Sequence, residues 1–152
     1  MRRQDAYRGL DDVRDEYEAA GFAIRISIEV QRNQPEAFQQ SGRPTRVTIS
    51  QLETCANNLE VTYTIRLFAE FEGILRDYWL KGRGRKSKPI MEKLLDNIAA
   101  YRTMKEDDFY YANEVRKYRN ELIHEHKKDP KYDFLTCLSR LAKFVSWLPL
   151  HW

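Results

Sequence analysis

Long apolar runs are absent from this sequence. No stretch approaches the roughly 18 uninterrupted apolar residues that a membrane-crossing helix needs, so no membrane helix is expected. The opening Met1-Arg2-Arg3-Gln4-Asp5 leads into more charge rather than into an apolar signal core, which points to a cytoplasmic protein. Cysteine is scarce as well. Cys55 and Cys137 stand alone in apolar helical patterns, without the two-residue partner spacing of zinc or redox sites, and both read as reduced core residues. Neither a metal nor a cofactor is implied.

What is present is enough to fold. With 152 residues, 42% hydrophobic and 32% charged, the chain suits one domain with a real core. The net charge of +3 is too modest to argue for nucleic acid, but its distribution is uneven. Lys81, Arg83, Arg85, Lys86 and Lys88 set five cations in eight residues, interleaved with Gly82 and Gly84 and with no acid between them. Such a run is either a solvated connector or a hook for a phosphate backbone, whose grip would weaken with salt and read no sequence.

Periodicity organises the rest. Tyr7, Leu10, Val13 and Tyr17 recur at three- and four-residue steps, predicting a helix from about Gln4 to Ala20 that Gly21 stops. Phe22, Ile24, Ile26, Ile28 and Val30 then alternate with Ala23, Arg25, Ser27 and Glu29, the period of a strand. A polar stretch over 31–45, with Pro35, Gly42 and Pro44, reads as a loop, and Arg46 to Ile49 pairs with the first strand as a small β-hairpin. Residues 1–49 thus form an annex packed on a body of residues 50–152.

In the body, Ser50 and Glu53 make a capping box for a long helix to about Leu80, with Leu52, Leu59, Tyr63, Leu67, Phe71, Ile74 and Tyr78 as its buried stripe. Pro89 opens a helix over 89–101 that buries Ile90, Leu94, Leu95 and Ile98. Asp107 and Asp108 favour the start of a helix over 107–127, closed by Asp129-Pro130. The last helix, 132–148, is apolar at Leu135, Leu138, Leu141, Ala142, Val145 and Leu148. The fold class is mainly α, and four body helices with short connections form an up-and-down four-helix bundle.

The chemistry concentrates in one helix. At about 100° per residue, Tyr111, Val115, Tyr118 and Leu122 form its inward stripe, Arg119 lies at the stripe's edge, and Asn113, Lys117, Asn120 and His124 lie nearly opposite, with Arg116 between. A polar helix face is ordinarily just solvated. Here it carries Arg119-Asn120-x-x-x-His124, and the helix 50–80 carries "RLFAEFEGILRDYW". On these residues the chain, over about 50–148, resembles the HEPN superfamily, whose Arg-x(4–6)-His motif lies late in a helical bundle.

Metal-free RNA cleavage needs a group to take the 2′-hydroxyl proton, a cation for the phosphorane and a donor for the leaving 5′-oxygen. An imidazole, with an unperturbed pKa of about 6.5, serves as acid or base, which suits His124. The Arg119 guanidinium can fork onto phosphate oxygens, and Asn120 can both donate and accept to orient the imidazole or the phosphate. Glu72 or Asp77 would position these groups from the neighbouring helix, and Lys117 would add to the cations of the basic run.

The resemblance implies an endoribonuclease that leaves 2′,3′-cyclic phosphate and 5′-hydroxyl ends. It further implies a homodimer with one composite cleft, RNA as substrate, and a prokaryotic toxin or phage-defence role restrained by an antitoxin or inhibitory partner. The competing reading is a catalytically silent bundle that binds protein or nucleic acid. One HEPN subset carries a modifiable tyrosine two residues after the histidine, where this chain has His126. The pair His124 and His126 is also wrongly spaced for a helical zinc site, which favours a four-residue step. Glu70, Glu121 and Glu125 read as surface charges, and Tyr110 and Tyr111 as the aromatics best placed to stack on bases.

Overall fold

In the computed structural model, which describes residues 1–36, 47–124 and 131–152, the chain is mainly α-helical. Among the described residues five α-helices follow one another: α1 (Arg3–Asn33), α2 (Ile49–Asp77), α3 (Met91–Arg102), α4 (Glu106–His124) and α5 (Phe134–Val145). A π-helical turn, Tyr78–Gly82, extends α2.

The largest departure from the sequence reading is α1. Gly21 does not stop it, and the alternating segment 22–30 is helix rather than strand. On a helix, a period of two distributes side chains over two faces: Ile24 and Ile28 turn toward α2, while Phe22 and Ile26 lie on the far side, 61% and 42% exposed. Of the hairpin's second strand, Arg46 lies outside the described residues, Val47 and Thr48 are non-helical and unpaired as strand, and Ile49 already begins α2. The α2 cap also falls two residues earlier than Ser50 and Glu53. Thr48 Oγ1 accepts from the Gln51 amide (3.2 Å) and Gln51 Oε1 accepts from the Thr48 amide (2.9 Å), the same reciprocal logic on other residues.

Nor is the N-terminal helix an accessory to the core. Ala6, Leu10 and Val13 of α1 are buried with Leu67, Phe68, Phe71, Ile74 and Leu75 of α2, Val115 and Tyr118 of α4, and Phe134, Leu141 and Phe144 of α5. These four helices enclose the core, α1 touching α2 and α5, and α4 touching α2 and α5. The short α3 rides on α4 and α2, burying Leu94, Leu95 and Ile98 but leaving Ile90 65% exposed. Leu135 and Tyr111, expected inside, are also exposed, as is Cys55. Cys137 is buried as expected, and burial pushes its thiol up to about 12.

One carboxylate joins three helices. Glu60 of α2 accepts the Tyr17 hydroxyl of α1 through Oε1 (2.5 Å) and the Phe134 backbone amide of α5 through Oε2 (2.7 Å). The second contact satisfies a free N–H of the first turn of α5, whose own cap Asp133 accepts from Thr136 (2.6 Å). Tyr17 also stacks on Phe134 (4.4 Å between centroids) and meets Tyr63 edge-on. Burial, then the Glu60 hydrogen bond, push the Tyr17 phenol up to about 12.

At the opposite end the chain closes on itself. Trp152 N–H donates to Met1 O (3.0 Å), Arg3 Nη1 donates to Ser146 O and Leu148 O (2.7 and 2.9 Å), and Trp152 Nε1 donates to Asp77 (3.1 Å). Gly82 sits where a Cβ would fall 2.7 Å from both Trp152 Cβ and the Tyr78 ring, so only glycine fits there.

These contacts fix directions. α5 starts beside Glu60 and brings Phe144 against Phe71 (5.5 Å between centroids), so it runs with α2. Trp147 Nε1 donates to Asp108 (2.9 Å) and Tyr118 meets Tyr132 (5.4 Å), so α4 runs against α5. α1, with Arg3 at the Leu148 end and Tyr17 at the Phe134 end, runs with α4. Past the level of Tyr17 and Glu60, α1 and α2 continue together for roughly 16 Å as a two-helix arm.

Replacing Glu60 by Gln removes the charged acceptor shared by Tyr17 and Phe134, and urea melts are expected to lose about 1–3 kcal/mol. A native-state pKa above the unfolded value of about 10 means that Tyr17 stabilises fully below pH 10 and loses its contribution as pH rises toward 12. Tyr17→Phe should therefore shrink the fall in denaturation midpoint over that alkaline window. In thiol titration of the native protein, Cys55 is expected to react at once and Cys137 only after unfolding.

Candidate functional site

The helix that carries Arg119, Asn120 and His124 owes its start to Glu106, Asp107 and Asp108, whose charges favour the positive end of the dipole. Ala112, Val115 and Tyr118 anchor it to the core. Tyr111 does not join them: its ring turns instead toward Arg140, whose guanidinium lies 4.9 Å from it and 4.1 Å from Tyr132.

Arg119 occupies the edge of the buried stripe, as expected. Its guanidinium carbon lies 5.8 Å from the Phe68 ring centroid, Nη1 donates to Asn120 Oδ1 (3.1 Å), and Nε is buried without a partner among the described residues. Asn120 is half-buried and, one helical turn before His124, shares its face. His124 is exposed and takes part in no hydrogen bond among the described residues. Arg119 and His124 point well apart around the axis, so a single copy brings Arg119 to Asn120 and Asn120 toward His124, but not all three onto one point. His126 and Glu125 lie outside the described residues.

The remaining polar stripe is held by α3. Arg116 Nε donates to Asn113 Oδ1 (2.8 Å), and Nη2 approaches Glu92 (3.7 Å) with the side chain only 13% exposed. Lys117 is tied to Glu114 (3.0 Å), and the hydrogen bond from Lys117, joined by Lys131, holds the Glu114 carboxyl below the usual range. Lys117 is thus a partly neutralised cation rather than a free one.

Glu72 and Asp77, expected to support the motif, are engaged elsewhere. Glu72 pairs with Arg76 (2.6 Å), which also donates to Pro89 O (3.2 Å). Asp77 pairs with Lys81 (2.6 Å) and accepts from Trp152. Neither touches Arg119 or His124.

The basic run is likewise remote. Arg119 is level with Phe68, the run follows the end of α2, and α4 carries His124 the other way. At 1.5 Å per residue the run and His124 are separated by roughly 20 Å or more within one chain. Its members also behave differently: Lys81 is paired, Arg83 lies 3.1 Å over the Tyr101 ring with its Nε buried, and Arg85, Lys86 and Lys88 are exposed.

Sequence reasoning missed a second polar constellation. A cavity of about 570 Å³ between the start of α4 and α5 is lined by Asp108, Tyr111, Asp133, Ser139, Arg140 and Lys143. Arg140 forms one wall, clamped by the two tyrosines, with Nη1 buried and unpartnered among the described residues. Its charges balance, Asp108 and Asp133 against Arg140 and Lys143, and Asp108 and Asp133 are spent on Trp147 and on capping α5. The one sequence signal was Arg140 standing one residue from Leu141 in a helix whose apolar positions form a strong stripe.

No known protein family, curated protein or solved structure matches the chain. The residues and their geometry therefore carry the functional reading alone.

Because the buried Arg119 Nε finds no partner among the described residues, the side chain adds little to stability. Arg119→Met, which keeps the stem against Phe68, is expected to shift the unfolding free energy by less than about 1 kcal/mol in denaturant melts.

Proposed function

We propose that the chain is a metal-independent endoribonuclease of the HEPN type, with Arg119, Asn120 and His124 as its catalytic set. The observation that supports this most directly is the placement of His124: exposed in the last described turn of α4, one turn from an Asn120 that already holds Arg119. An exposed imidazole can reach a substrate 2′-hydroxyl or leaving oxygen, which a core histidine cannot. The guanidinium would stabilise the phosphorane, with Asn120 fixing its approach.

Because Arg119 and His124 diverge around one helix, the reading needs a second copy. A two-fold pairing of α4 ends would set the His124 of one chain beside the Arg119–Asn120 pair of the other, giving a composite cleft in an up-and-down four-helix HEPN-like bundle. On this reading RNA is the substrate, cut to 2′,3′-cyclic phosphate and 5′-hydroxyl ends. The biological role would be that of a prokaryotic toxin or phage-defence effector in the cytoplasm, kept in check by an inhibitory partner.

A second reading has its own support. The Arg119 guanidinium faces Phe68 and Asn120 rather than open solvent, and no neighbouring carboxylate orients His124 among the described residues, as suits a silent binding module.

Labelled RNA incubated with purified protein in EDTA separates the two. Wild type should yield cyclic phosphate ends, and His124→Ala should lower the cleavage rate by about 10²–10⁴-fold with an unchanged melting temperature. Absence of cleavage by wild type across structured and unstructured RNAs would leave the silent module.

A further inference from the structure

The basic run builds a groove instead of a free loop. Beyond the π-helical turn, Gly84 takes a left-handed conformation (φ 62°) and the chain folds back along the end of α2. Three hydrogen bonds hold it there: Arg85 N–H to Trp79 O (3.2 Å), Trp79 Nε1 to Ser87 O (3.0 Å) and Arg76 Nη1 to Pro89 O (3.2 Å). Between the returning strand of chain and the helix lies a cavity of about 460 Å³ lined by Trp79, Leu80, Pro89 and Ile90, with Arg76 and the exposed cations Arg85, Lys86 and Lys88 around it.

Two features of this groove have no structural use among the described residues. Leu80 and Ile90 are 54% and 65% exposed, among the most exposed large apolar side chains of the molecule. Arg85, Lys86 and Lys88 join no salt bridge among the described residues, while Glu72 and Asp77 at the end of α2 are spent on Arg76 and Lys81, and Glu92 at the start of α3 faces Arg116. An apolar floor with an unneutralised cationic rim is complementary to a ligand of the opposite pattern.

We infer that this groove docks an acidic peptide segment of a partner protein, one that places bulky apolar side chains over Leu80 and Ile90 and carboxylates against Arg85, Lys86 and Lys88. The shape argues for a peptide. A bilayer surface is entered by apolar side chains that protrude, whereas this cavity receives them. A phosphate backbone would use the cations but leave the apolar floor wet, and the indole N–H of Trp79, the floor's natural polar handle, is already given to Ser87. The backbone ties mean that little ordering is needed on binding. The groove lies at the far end of the bundle from His124, so this inference is independent of the ribonuclease reading.

Selection of a displayed library of random dodecapeptides on the full chain tests it. Two variants serve as controls, Leu80→Ser with Ile90→Ser, and Arg85→Ala with Lys86→Ala and Lys88→Ala; all five positions are exposed, so both should melt as wild type does. Enriched sequences should combine Asp or Glu with Leu, Ile, Phe or Trp, shift Trp79 fluorescence, and lose at least about tenfold in affinity for each variant. Three results would overturn the inference: no enrichment; acidic peptides that bind the Leu80 and Ile90 variant undiminished; or displacement of the peptides by a single-stranded RNA or by phosphatidylglycerol vesicles whose own binding ignores Leu80 and Ile90.

Discussion

The Glu60 carboxylate is the point at which α1, α2 and α5 are registered against one another. Hydrophobic burial is non-directional and would tolerate a slide of α1 along α2, since Leu10, Val13, Leu67 and Phe71 can be packed in more than one register. A carboxylate that must face a phenol and a helix N-terminal amide at once permits one register. Because it caps α5, that choice also sets where Tyr132 and hence Tyr118 lie, which places the α4 helix and the candidate site on it.

Much of the body was legible in the sequence because its apolar positions repeat at helical spacing. The stripes Leu67, Phe71, Ile74, Tyr78 and Leu94, Leu95, Ile98 are buried as read. Errors arose where two structures share one pattern. The alternation from Phe22 to Val30 is what a half-buried strand shows, and it is equally what a helix with two apolar faces shows; only the tertiary neighbour, α2 on one side, decides. The cap shifted because Thr48 and Gln51 satisfy the same spacing rule as Ser50 and Glu53, and Ile90 and Leu135 failed because helix ends leave the core even when the periodicity does not.

The candidate site residues were legible by position and not by partner. The spacing put Asn120 and His124 on one face and Arg119 at the core's edge, and both hold. It could not show that Glu72 and Asp77 would be claimed by Arg76, Lys81 and Trp152, because those claims depend on a loop folding back and on chain ends separated by most of the sequence. Nor could it show that five neighbouring cations would divide into one paired, one laid over an aromatic ring, and three facing outward.

The arm formed by α1 and α2 beyond the Tyr17 level obeys different physics from the rest. From Phe22 to Asn33, and from Ile49 to Leu59, no residue is buried, so among the described residues these turns rely on each other and on contacts such as Arg32 with Glu53 (2.6 Å) at the surface. Cooperative units of this kind open at a fraction of the global unfolding free energy. The molecule is therefore a rigid base with a soft lever: a force or a ligand at the arm tip would be spent on fraying two helices before it reached the Glu60 junction, and the register of the site below would be insulated from it.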